Sequence, residues 1–304
     1  MNDKIKGEIC AIVTPFKRGK IDLDSFGKLL DLHMERETDG IVILGTTGES
    51  PTVDKEERKE LLNFAKEKIK NKMKLITGVG TNDGKKTLSY AEMALDIGIN
   101  YHLVVIPYYN KPTQNNLIDY FVFLAKNTGA KIIIYNVPGR TGVNILPETI
   151  LKIYEKVPEN IIGIKEASKN LDQMMDLAKL FKGKISLLSG DDSWTFPLLS
   201  LGYEGVISVY SNINPGYLKK MINLFEKGNI EEARKMHFDA LPLMNALFIE
   251  TNPLPVKTLL SYLGWIEEEF RFPLGKMGEE NKKKLIDIAS KYNLPKANLH
   301  FNYF

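Results

Sequence analysis

The sequence predicts an α/β protein, a (β/α)8 barrel with a C-terminal helical extension, and three observations carry that prediction. Eight short β-branched runs recur between residues 9 and 209. They are too uniformly apolar to alternate as a half-exposed sheet would, and so suit parallel strands covered by helices. Helical periodicity fills the gaps between them, and eight strand-helix units in about 225 residues match the size of a closed barrel.

The runs are ICAIV from residue 9, GIVIL from 40, KLITGV from 74, HLVVI from 102, KIIIYNV from 131, IIGIK from 161, KISLLSG from 184 and GVISV from 205. In the segment from Asp54, Leu61, Leu62, Ala65 and Ile69 fall on one helical face at spacings of three and four. Helical patterns from about 215, 230, 254 and 279 follow the eighth run without another strand. The expected division is a barrel over 1–225 and a helical sub-domain over 226–304. An open doubly wound sheet is the rival. No GxGxxG follows the first strand, and GVGTNDG from 78 fits neither the dinucleotide fingerprint nor the phosphate-loop pattern.

The 304 residues are 43% hydrophobic and 26% charged, with a formal net charge of +3 spread along the chain. That small bias argues for neither nucleic acid nor a membrane surface as partner. The single cysteine, Cys10, sits in an apolar run and is read as a buried strand residue in a reducing compartment. MNDKIKGEIC holds no apolar stretch of signal-peptide length, and no segment approaches the ~18 uninterrupted apolar residues of a membrane span. The expected location is cytoplasmic. His33, His102, His237 and His300 are scattered without ligand spacing, so no metal is expected.

A barrel of this type builds its site where strands end. Polar residues close several runs: GTTGES (45–50), PYYNKPTQ (107–114), YNVPGRTG (135–142), KEAS (165–168) and SGDDS (189–193). Lys165 ends an otherwise apolar strand. Alternation puts Gly163 and Lys165 on one face and Ile162 and Ile164 on the other, which turns the lysine inward, with Gly163 leaving room for its stem. Such an amine is either a Schiff-base nucleophile or half of an ion pair inside the barrel. GTTGES is a turn or an anion cradle, in which Thr46 and Thr47 add hydroxyls to exposed N–H groups. Pro138 and Gly139 force a turn that projects Arg140 over the barrel mouth, to fork a carboxylate or to pair with a neighbouring helix. Tyr108 and Tyr109 pack or relay protons. Asp191 and Asp192 cap the next helix or attract a cation.

Taken together, these motifs resemble the dihydrodipicolinate synthase family, among the class I aldolase-like barrels that include N-acetylneuraminate lyase. The resemblance runs from AIVTPF (11–16) through each strand-end motif to GVISV, and reappears in ETNPLPVKTLL (250–260). It implies a lyase in which Lys165 forms an imine with pyruvate, without any other cofactor. The resulting enamine attacks L-aspartate 4-semialdehyde, giving 4-hydroxy-tetrahydrodipicolinate on the diaminopimelate route to lysine. By the same resemblance Thr46, Tyr135 and Tyr109 form a proton relay, Tyr109 coming from a neighbouring subunit. Thr47 and its loop hold the pyruvate carboxylate, Arg140 binds the semialdehyde carboxylate, and Gly190 and Ile207 line the pocket. GRTG after YNVP favours this family over sialic acid and sugar-acid aldolases; a catalytically silent binding barrel is the remaining alternative.

The resemblance further implies a homotetramer built as a dimer of dimers, with a lysine-inhibition cleft at Ser50, Pro51, Lys55, Arg58, Asn82, Lys86 and Tyr108. Lysine-inhibited bacterial members usually carry a glutamate where Lys86 stands and histidines near Lys55 and Arg58. Like charges here predict weak or absent inhibition. The aromatics of the tail 296–304 are expected to pack against a neighbour.

Overall fold

Eight parallel strands close on themselves in chain order: β1 (Gly7–Ala11), β2 (Gly40–Ile43), β3 (Lys74–Gly78), β4 (Tyr101–Val105), β5 (Lys131–Asn136), β6 (Ile161–Glu166), β7 (Ser186–Ser189) and β8 (Gly205–Ser208), which pairs back onto β1. All eight predicted runs are strands of this barrel. The structure, a computed structural model, describes residues 4–297, so most of the tail expectation, Phe301, Tyr303 and Phe304 included, lies outside the described residues.

Helices follow the strands in turn: α1 (Leu23–Glu35), α2 (Lys55–Ile69), α3 (Gly84–Asp96), α4 (Gln114–Thr128), α5 (Pro147–Lys156), α6 (Leu171–Phe181), the five-residue α7 (Thr195–Leu199) and α8 (Tyr217–Glu226). The sequence starts α2 with a capping box: the Asp54 side chain accepts from the Glu57 N–H, and Glu57 accepts from the Asp54 N–H. Leu61, Leu62, Ala65 and Ile69 are all buried on its barrel face, as their spacing predicts. Beyond α8 come α9 (Ile230–Ala246), α10 (Leu254–Tyr262) and α11 (Glu279–Ala289). The helix α9 packs on α8 and α11, and α11 on α10.

Apolar residues form two layers. One lies between strands and helices and includes Cys10, Ile41, Ile43, Val104 and Ile164. The other fills the barrel, where Ile9, Val42, Ile76, Leu103, Ile133, Leu188 and Ile207 meet Tyr135. Strand alternation sorts each chain segment between them.

The strand β6 departs from simple alternation. Ile164 faces the helices and Lys165 the interior, as predicted, but Ile162 packs with the inner layer. The cause is a bulge: Ile161 pairs with Ile132 and Gly163 with the very next residue, Ile133, so Ile162 is an extra residue on β6. Nor does Gly163 make room for the lysine stem. A Cβ there would sit 3.0 Å from the Ser186 carbonyl oxygen, so this glycine serves the close approach of β7.

Candidate active site

The register of β5 and β6 pairs Tyr135 with Lys165 and Asn136 with Glu166, which sets the tyrosine beside the lysine. Lys165 is 5% exposed and its Nζ lies 4.4 Å from the centroid of the Tyr135 ring. Burial pulls the ammonium down to about 8 from 10.5; the field of Asp192 opposes that shift and the Arg140 guanidinium adds to it. No carboxylate pairs directly with Lys165, so the alternative of a structural ion pair finds no partner among the described residues. The next residue, Glu166, points the other way. Its carboxylate accepts from Asn136 Nδ2 at 3.0 Å, the Ser168 N–H and Gln173 Nε2, locking the strand end that aims Lys165 inward.

Room for the lysine stem comes from Gly190. A Cβ there would clash with Ala167 Cβ at 2.7 Å, and at 3.2 Å from Lys165 Cε it would press the lysine stem aside by a few tenths of an ångström. Ile207 is buried in the inner layer with Tyr135. The Tyr135 phenol is held above the ordinary tyrosine value by burial, against the lowering effects of Arg140 and of its hydrogen bond with Thr46. It therefore stays protonated at neutral pH.

Thr46, Tyr135 and Arg140 line one cavity of ≈ 380 Å³ at the barrel mouth. The loop bearing Thr46 and Thr47 starts after Leu44 (φ 58°) and ends at Glu49 (φ 52°), both left-handed, a conformation that costs a non-glycine residue roughly 1–2 kcal/mol. Pro138 and Gly139 make the first turn of a short helix, Pro138–Thr141, closed by Gly142 at φ 72°. This helical turn, in place of the expected simple turn, carries Arg140 to the cavity.

Lys165, Thr47, Gly190 and Ile207 are not among the residues that line this cavity, and other expected positions stand outside it as well. Tyr109 is 88% exposed at φ 73°, its side chain outside the cavity and its N–H bonded to the Thr141 carbonyl. Of the seven cleft positions, Ser50, Pro51, Arg58, Lys86 and Tyr108 line the same cavity as the strand-end residues; Lys55 and Asn82 do not. Asp191 caps the following turn by accepting from the Ser193 N–H, but Asp192 does not. It is buried and accepts from the N–H groups of Val209 and Tyr210 after β8, and burial raises it to about 6. Among the described residues no group of three or more His, Cys, Asp or Glu is placed to hold a metal, and no helix is long and apolar enough to cross a membrane.

The sequence profile of the Dihydrodipicolinate synthetase family matches residues 4–292. A relative from Thermodesulfovibrio yellowstonii, named 4-hydroxy-tetrahydrodipicolinate synthase, is 45% identical over 96% of this chain and 99% of its own. The chain belongs to the dihydrodipicolinate synthetase family. A crystal structure of dihydrodipicolinate synthase from Aquifex aeolicus superposes with a TM-score of 0.94 at 42% identity, covering 97% of this chain and 100% of that one. The corresponding Thermotoga maritima enzyme gives 0.92 at 42% identity, covering 94% and 98%. As a dihydrodipicolinate synthetase family member, the protein is a lyase of the class I aldolase type.

Two residues that brace this candidate site escaped sequence reasoning. Asn252, 5% exposed, donates from Nδ2 to Thr47 Oγ1 at 3.0 Å, and its backbone carbonyl accepts from Arg140 Nη2 at 3.0 Å. Lys257 forms a fully buried ion pair with Glu49 at 2.5 Å, and Glu49 also accepts from the Arg271 N–H. Both residues belong to ETNPLPVKTLL. The available signal was an amide and an ammonium within a stretch otherwise apolar enough to be buried.

Proposed function

We propose that this chain condenses pyruvate with L-aspartate 4-semialdehyde through an imine on Lys165. The observation that carries the reading is the lysine's position, inside the barrel beside a protonated tyrosine and with no carboxylate paired directly to it among the described residues. The neutral amine attacks the pyruvate ketone and water leaves, giving an iminium whose electron withdrawal lets a methyl proton depart. The enamine carbon then bonds to the aldehyde carbon, the aldehyde oxygen taking up a proton. The semialdehyde's own amine next attacks the iminium carbon and displaces Lys165, closing the ring of 4-hydroxy-tetrahydrodipicolinate.

In this reading Tyr135 gives and recovers protons near the imine, with Thr46 as its next partner. Thr47 and the loop amides hold the pyruvate carboxylate, Gly190 and Ile207 shape the floor, and Arg140 receives the carboxylate of the semialdehyde. Tyr109 extends the relay into a neighbouring subunit. A solvent-exposed tyrosine in a strained backbone conformation supports that assignment. The active unit is then at least a dimer, and the tetramer is part of the same proposal. The reaction uses no cofactor beyond the lysine, and a cytoplasmic setting suits the free buried Cys10. The functional boundary falls near residue 225, where α8 ends and the C-terminal helices begin.

Turnover tests the reading. The protein should consume pyruvate and aspartate semialdehyde one for one, and should not cleave sialic acid or 2-keto-3-deoxy sugar acids at comparable kcat/KM. Preference for a sugar acid would assign it to another branch of the pyruvate aldolases.

A further inference from the structure

We infer that Asn252 is a positioning residue that fixes the polarity of the Thr47 hydroxyl, so that its single proton is kept for the substrate carboxylate; the inference rests on the pyruvate reading above. Thr47 is buried, and its Oγ1 accepts the Asn252 amide proton at 3.0 Å. A hydroxyl that accepts from an amide has its own proton left to give. Among the described residues that amide is the one hydrogen-bond partner of the Thr47 hydroxyl, so no protein acceptor competes for the proton. A carboxylate is an acceptor only and would take it. The other amide atom, Oδ1, is buried without a hydrogen-bond partner among the described residues, so the bond to Thr47 is the one that the Asn252 side chain makes there. Because Arg140 contacts the backbone carbonyl of Asn252, changing the side chain leaves the Arg140 contact in place. The amide acts on the pyruvate half of the site.

The test compares Asn252→Ala, which removes the donor, with Asn252→Asp, which keeps the shape but offers only acceptors. For each, pyruvate is titrated and the adduct trapped by borohydride is followed by intact mass, while KM for the semialdehyde is measured at saturating pyruvate. The half-saturating pyruvate concentration should rise about 5- to 10-fold for Asn252→Ala, the worth of one hydrogen bond. For Asn252→Asp, which claims the Thr47 proton, it should rise by a further order of magnitude, with semialdehyde KM within about twofold of native in both. Thr47→Val should abolish the difference between Asn and Asp at 252, as a double-mutant cycle reads it. Equal shifts for the two substrates, or an Asp penalty that persists in the Thr47→Val background, would overturn the inference and leave Asn252 a packing residue or a source of direct charge repulsion. Absence of any adduct in the native protein would overturn the pyruvate reading and the inference with it; a native adduct with unselective variants would overturn the inference alone.

Discussion

At Lys165 the controlling quantity is how much of one amine is neutral. With a pKa of about 8 roughly one lysine in ten is neutral at pH 7, against about one in 3,000 at the ordinary value. The neutral form attacks, and its population grows as pH rises through the folded pKa. Single-turnover imine formation at limiting pyruvate should therefore rise about tenfold per pH unit and level off near pH 8. A rate still climbing at pH 10 would return the lysine to its unperturbed value and contradict the geometry. Lys165 and Arg140 were legible in sequence because polar residues at the ends of apolar runs stand out. Asn252 was not, since its partners Thr47 and Arg140 are 205 and 112 residues away in the chain.

At the level of elements, the loop between β2 and α2 is held from outside the barrel. The buried Lys257–Glu49 pair ties it to α10, and Lys257 Nζ also lies 4.3 Å from the Phe16 ring centroid. Burial lowers the Lys257 pKa and Glu49 opposes that shift. Removing one partner leaves the other charge buried and unpaired, which costs about 3–5 kcal/mol, whereas replacing both with neutral groups is far milder. Urea unfolding should show Lys257→Met destabilised by that amount, with much of the loss recovered in Lys257→Met/Glu49→Gln. A double variant no more stable than the single would show that the pair is not the linkage. The helix from Asp54 was readable in the sequence because its apolar spacing is local; the capping box that starts it was seen only in the structure. The bulge in β6 was not, because it exists only relative to the register of β5.

At the scale of the whole molecule, eight strand-helix units in about 225 residues matched the size of a closed barrel, and the missing dinucleotide and phosphate-loop patterns took support from the open rival. Motif order then told where the mouth would be. What the chain alone could not express is association: Tyr109 stands in solvent, and Lys55 and Asn82 lie apart from the five cleft positions that do converge. In that cleft Arg58 lies over the Tyr90 ring at 4.1 Å and donates to the carbonyls of Gly78 and Ser50, with Lys86 also beside Tyr90. A lysine ligand would bring like charge against both, each contact costing about 1 kcal/mol even in water. Steady-state assays should show no half-inhibition by sub-millimolar lysine, and its appearance would mean that the ammonium finds a route around these cations.

The proposed chemistry rests on a covalent bond to one side chain, and intact mass after borohydride reduction reads that bond directly. The native protein with pyruvate should gain one pyruvate-derived adduct, Lys165→Ala should gain none, and aspartate semialdehyde added before the reductant should deplete it. An adduct that survives in Lys165→Ala, or none in the native protein, would contradict the mechanism.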